Sequence, residues 1–149
     1  IGLRAATLPP SFSGSFTISE GSVNARANKI RHDLHIAVDA SLLGNASLFA
    51  NQSPEQLASI EGTLVVNGRG DASAHAVVLG RLGGAGLVTS TGTGAGTVEI
   101  TGESRFDGVI SGPLTLIKSG PATTLRLTGA HDYSGATLVS AGVLAVDGR

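Results

Sequence analysis

At 149 residues, with a formal net charge of −1 and a pI near 6.5, the chain has the length of one domain and no global field to draw it to nucleic acid or an anionic membrane. Charged residues make up 14%, against roughly 25% in typical domains, while 22 glycines and the absence of Trp, Met and Cys leave a core of small aliphatic side chains and exclude disulfides and thiolate metal sites. No apolar run reaches the ~18 residues of a spanning helix, and the first ten residues lack the basic-then-apolar pattern of an export signal.

The chain opens on a phrase that it later repeats. Residues 11–25, SFSGSFTISEGSVNA, overlie residues 131–148 at a constant offset of 121, which sets Phe12 on Tyr133, Gly14 on Gly135, Ile18 on Val139 and Gly21 on Gly142. Phe16 to Ile18 is the first predicted strand, and Leu34 to Val38, with apolar residues alternating, is the next. Between them lies the basic run Arg26, Lys29, Arg31, His32 and His35, diluted by Asp33 and Asp39 and free of interleaved aromatics, which reads as a solvated loop rather than a polyanion site. His32 and His35 stand three apart, so on a strand they face opposite sides and cannot share an ion; no metal site is expected. Two matches to the N-glycosylation sequon, at Asn45 and Asn51, are read as coincidental.

At residues 51–62 the pattern changes. Ser53 before Pro54, with Gln56 three residues after the Ser, is a helix start with a serine cap and proline in the first turn, and predicts a short helical excursion over 54–60. Strands resume with Gly62-Thr63-Leu64-Val65-Val66-Asn67-Gly68, a phrase that recurs as Gly96-Thr97-Val98-Glu99-Ile100-Thr101-Gly102 and Gly142-Val143-Leu144-Ala145-Val146-Asp147-Gly148, at spacings of 34 and 46. In each copy the alternate residues, Leu64 and Val66, Val98 and Ile100, Leu144 and Val146, belong on one inner face, with the glycines at corners.

Just past the first copy stands Arg69-Gly70-Asp71, behind the turn pair Asn67-Gly68. A loop that carries an Arg and a carboxylate two residues later can engage an acidic pocket and a metal-bearing receptor, and this tripeptide is the candidate binding site. Ala76 to Leu79 is a further strand. The glycine clusters 80–86 and 92–96 lack the spacing of phosphate-binding loops and read as corners. Leu114 to Ile117 and Leu125 to Leu127 complete about ten short strands. Repeated strand phrases with glycine corners predict an all-β chain folded as a parallel β-helix, each coil covering the last; a β-sandwich is the alternative.

One stretch goes beyond pattern. Leu116, Lys118, Gly120, Thr124, Leu125, Leu127, Gly129, Ala130, Tyr133, Gly135, Thr137, Val139, Gly142 and Leu144 together resemble the passenger-associated repeat of bacterial autotransporters, with residues 106–114 as its lead-in, so that a repeat unit spans 106–146. The family's Asn is replaced here by His131, and Ala122 stands in a turn where a glycine is expected.

The resemblance implies that residues 1–149 belong to a single passenger domain: a right-handed parallel β-helix (solenoid) fragment, exported through the periplasm to the cell surface or secreted by type V secretion. The partners it implies are the remainder of the passenger and a C-terminal β-barrel, and beyond these a host receptor or like passengers. The chain stops directly after a repeat and has no stretch with barrel-type strands of roughly ten alternating residues, so an excerpt of a longer passenger is expected.

On this reading the segment is a β-helical scaffold for adhesion or self-association in virulence. The alternative is a non-catalytic stem or folding-assisting segment of a larger secreted protease or toxin. No cofactor, metal, nucleic acid or catalytic residue is expected, since the sequence has no nucleophile elbow. The carboxylates that could serve a groove enzyme, Asp33, Asp39, Glu99 and Asp107, show no recognisable pairing.

Overall fold

A computed structural model describes residues 15–24, 33–43, 52–66 and 75–148. In chain order the strands are β1 (Phe16–Ile18), β2 (Gly21–Asn24), β3 (Leu34–Ile36), β4 (Ala40–Leu43), β5 (Leu57–Ile60), β6 (Thr63–Val65), β7 (His75–Leu79), β8 (Arg81–Gly83) and β9 (Leu87–Thr89). They continue with β10 (Gly96–Ile100), β11 (Ser104–Phe106), β12 (Val109–Gly112), β13 (Leu114–Lys118), β14 (Thr124–Leu127), β15 (Asp132–Tyr133), β16 (Thr137–Val139) and β17 (Val143–Val146).

Every strand pairing among the described residues is parallel. Parallel neighbours need a long crossover, and here the rest of each coil supplies it. The strands stack on three faces of a β-solenoid of about five turns. The first face runs β1-β3-β5-β8 and continues as β11-β14-β17, the second runs β2-β4-β6-β9-β12-β15, and the third runs β7-β10-β13-β16. Between β8 and β11 the first face divides, because Leu82 N donates to the Ser104 hydroxyl at 2.9 Å in place of a backbone carbonyl. Parallel pairing on three faces rules out the sandwich.

The inner side of each face is a column of apolar residues in register. Leu42, Leu64, Val88 and Ile110 succeed one another on the second face, and Val77, Val98 and Leu116 on the third, all of them fully buried. Each such side chain contributes about 1.5–3 kcal/mol, so a thin core without tryptophan suffices because the column never breaks. Leu64, Val66, Val98 and Ile100 lie inside as their alternation predicts. Leu144 packs against the core, whereas Val146 is 58% exposed, since no described strand lies over β17.

Coil length varies: Phe16 pairs with Leu34, 18 residues on, and Leu34 with Ala58, 24 residues on. This is why the spacings of 34 and 46 match no coil. The three recurring phrases fall on different faces, β6 on the second, β10 on the third and β17 on the first. They mark strands rather than positions in a repeat. What does recur coil by coil is a corner glycine. A Cβ on Gly86 would lie 2.2 Å from Gly62 O, on Gly108 2.1 Å from Gly86 O, and on Gly129 1.8 Å from Gly108 O. Each coil turns over the carbonyl of the one before, and only a hydrogen fits between.

Two expectations are corrected. Residues 54–60 form no helix. Ser53 N donates to Gln56 Oε1 at 2.9 Å and Gln56 N to Ser53 O at 3.0 Å, so the predicted cap closes as a single turn. Leu57–Ile60 then enter β5, paired on both sides. Seven residues cannot sustain a helix by themselves, and the alternating burial of Ala58 and Ile60 rewards a strand. Second, the glycine cluster 80–86 is not corner throughout, because Arg81–Gly83 is β8. Strands of three residues carry too few alternations to show their period, which is also why about ten strands were expected where seventeen are described.

Candidate functional site

Arg69, Gly70 and Asp71 lie outside the described residues, between Val65, which ends β6, and His75, which begins β7. The carboxylates considered for a groove stand apart, and Asp33, Glu99 and Asp107 are engaged elsewhere. Asp33 Oδ1 accepts the Leu57 N–H of the next coil at 2.7 Å. Glu99, on the third face, accepts the Ser119 hydroxyl. Asp107, just past β11 on the first face, accepts the Thr128 hydroxyl and the Arg105 Nε–H; the Thr128 bond, with help from Arg105, holds its carboxyl below the ordinary aspartate range. Asp39 is exposed in the turn before β4. Among the described residues no group of three His, Asp or Glu could hold a metal ion.

A common role emerges for Glu61 and Glu103, which the sequence did not single out, and for His131, which it noted only as a departure from the repeat pattern. Glu61 Oε2 accepts the Ala85 N–H at 3.1 Å, Glu103 Oε2 the Thr124 N–H at 2.6 Å, and His131 Nδ1 the Ile110 N–H at 3.2 Å. Each reaches one coil along and satisfies a backbone donor where the ladder of carbonyls lapses. These groups join coils of unequal length through exposed or half-buried hydrogen bonds.

The stretch 116–146 adds a different device, a buried lysine. Leu114, Leu116 and Lys118 alternate on the inner side of β13, so the Lys118 side chain continues the column of Leu79 and Ile100 and is fully buried. Its Nζ donates to Gly120 O at 2.9 Å and to Thr123 Oγ1 at 2.6 Å, and Thr123 in turn donates to Gly120 O at 2.9 Å. Burial pushes the Lys118 ammonium below the ordinary lysine range, opposed by the nearby Glu103 charge. The parity of Leu114-x-Leu116-x-Lys118 was the signal that could have placed it inside.

Gly142 then closes the next corner at φ +79°, where a Cβ would lie 2.3 Å from Gly120 O and 3.1 Å from Lys118 Nζ. Tyr133 packs on the core and its hydroxyl shares a hydrogen bond with Thr137 Oγ1 at 2.6 Å. Both departures from the repeat pattern are structurally legible. Ala122 has φ 56°, the left-handed conformation a glycine would adopt without strain, and His131 supplies the acceptor that the expected asparagine could offer.

The curated proteins and the solved structures gave no match to the chain. A family model, described as passenger-associated-transport-repeat, matches residues 116–146, from the middle of β13 to the end of β17. That stretch of the solenoid, with its buried lysine and glycine corners, is similar to the passenger repeat of autotransporters.

Proposed function

We propose that the chain is a non-catalytic scaffold segment of an autotransporter passenger, secreted or held at the bacterial surface, whose coils display loops for adhesion or self-association. The observation that carries this reading is that the matched repeat is continuous with the rest: β13 pairs β10, and β14 pairs β11, so the repeat extends the same ladder and core. A stack in which each coil contacts only its neighbours can fold progressively and is a rigid support for inserted loops. Arg69-Gly70-Asp71, in the sequence between β6 and β7, is the segment this reading nominates.

The test is attachment of integrin-bearing cells to the purified chain and to its Asp71→Glu variant, with melting curves shown to coincide. Attachment that the variant abolishes supports display through this tripeptide. Attachment that the variant retains, or none to either protein, removes the nominated site. The engagement of Asp33, Glu61 and Glu103 with neighbouring coils favours a second reading, a stem that assists folding of a larger effector. On that reading, deleting residues 106–149 lowers the stability of the remaining coils.

A further inference from the structure

We infer that the outward side of the first face carries a binding site for a linear acidic glycan, held by Arg81, Arg105 and Arg126. These arginines come from three successive coils, on β8, β11 and β14, and border a cleft of about 460 Å³ completed by Glu103, Ser104 and Thr124. Small-ligand sites run about 300–1,000 Å³. Arg105 and Arg126 are directly in register, one rung or about 4.8 Å apart, and the repulsion between them is only partly offset by their own exposed carboxylates, Asp107 and Asp147.

Their own acids leave part of each guanidinium uncommitted. Asp107 takes the Arg105 Nε at 3.0 Å, and Asp147 takes the Arg126 Nη1 at 3.1 Å. The Arg81 Nε donates to Glu103 O at 3.2 Å, and Arg81 has no carboxylate partner among the described residues. Glu103, the acid inside the cleft, turns Oε2 to the Thr124 N–H. Terminal N–H groups of Arg81 and Arg105 are thus free to fork onto sulfate or carboxylate, the geometry that guanidinium suits.

Gly83 supplies a second observation. Unlike the corner glycines, it has neither a positive φ nor a close neighbour: a Cβ would meet only Leu57 Cδ1 at 3.4 Å and Arg105 O at 3.8 Å. The backbone does not require glycine there. Its effect is to leave the face beside Arg105 open.

Cationic groups on a straight ladder fit a chain of evenly placed anionic groups better than a single ion. No aromatic side chain lines the cleft to stack a nucleobase, and where the ladder lapses between β8 and β11 the Leu82 N–H is already taken by the Ser104 hydroxyl, which leaves an extended peptide no such donor to pair with. The site is on the first face, whereas Arg69-Gly70-Asp71 lies between strands of the second and third, so the two can fail separately.

The experiment is a calorimetric titration of the whole chain with three hexasaccharides: heparin-derived (sulfated), oligogalacturonate (carboxylate only) and maltohexaose (neutral). Saturable binding of either acidic sugar but not the neutral one is expected, weakening about tenfold between about 50 and about 200 mM salt. The sulfated sugar alone would indicate an animal-type glycan, and equal binding of both would indicate carboxylate recognition. Arg81→Gln and Gly83→Glu should each weaken binding by roughly fivefold or more, as expected for loss of one charge-assisted contact, at unchanged melting temperature. If Gly83→Glu shifts the melt, Arg81→Gln decides. No saturable binding, equal binding of maltohexaose, or undiminished binding by Arg81→Gln would each overturn the inference.

Discussion

The corner glycines make the sharpest claim about what holds the solenoid together, and Gly108→Ala tests it. The φ of Gly108 is not in the left-handed region, so the substitution carries no backbone strain and its effect is steric. The added Cβ would sit 2.1 Å from Gly86 O and 2.8 Å from Ala85 C. Relief requires the two coils to part by about 1 Å, which lengthens the Val109 N–H to Gly86 O bond, now 2.9 Å. Overpacking of this kind costs about 1–3 kcal/mol, and a weakened backbone hydrogen bond adds about 1 kcal/mol. The lower entropy of the unfolded alanine chain returns roughly 0.4–1 kcal/mol. A net loss of about 1–3.6 kcal/mol corresponds to a fall of about 2–14 °C in Tm at this chain length. Gly83→Ala is the control, because its Cβ meets nothing closer than 3.4 Å; it should match the parent or melt up to a few degrees higher. Thermal unfolding followed by far-ultraviolet circular dichroism separates the two. A Gly108→Ala melt within about 1 °C of the parent, or a Gly83→Ala melt that drops as far, would refute the carbonyl-contact account.

Three further outcomes follow from the matched repeat. Ala122→Gly should raise stability by about 1 kcal/mol in denaturant titration, since it relieves the left-handed strain at φ 56°. Burial holds His131 below its ordinary value of 6.5, and protonation would turn its Nδ1 from acceptor to donor against the Ile110 N–H. The folded state therefore resists a proton that the unfolded chain accepts, and stability is expected to decline as pH falls through about 6.5. His131→Asn should flatten that limb of a pH series of melts while keeping the acceptor. Lys118→Met should lie within about 1 kcal/mol of the parent, because Thr123 still donates to Gly120 O and the apolar chain continues the Leu79 and Ile100 column. Lys118→Ala should lose about 2–5 kcal/mol to the cavity, and equal losses in the two variants would show that the ammonium itself is required.

The sequence by itself determined which residues face inward. The period of two in Leu64-x-Val66 and Val98-x-Ile100 and the repeat over 116–146 are local properties, and the structure places them as read; the glycine corners hold only in part, since Arg81–Gly83 and Gly96 lie in strands. Even the interior position of Lys118 was present in the alternation from Leu114. Only the tertiary structure decided which strand lies on which, and three things hid this from the sequence. Coils of 18 to 24 residues have no fixed period, as Phe16 on Leu34 and Leu34 on Ala58 show. A good helix start at Ser53 yields to a strand once β3 and β8 offer partners on both sides. The arginines of the first face meet only because β8, β11 and β14 stack. Side-chain direction is fixed by the dihedrals of a residue and its neighbours, whereas register is fixed by a carbonyl about twenty residues earlier in the chain, at Gly62 for Gly86 and at Gly86 for Gly108, and no local pattern records that distance.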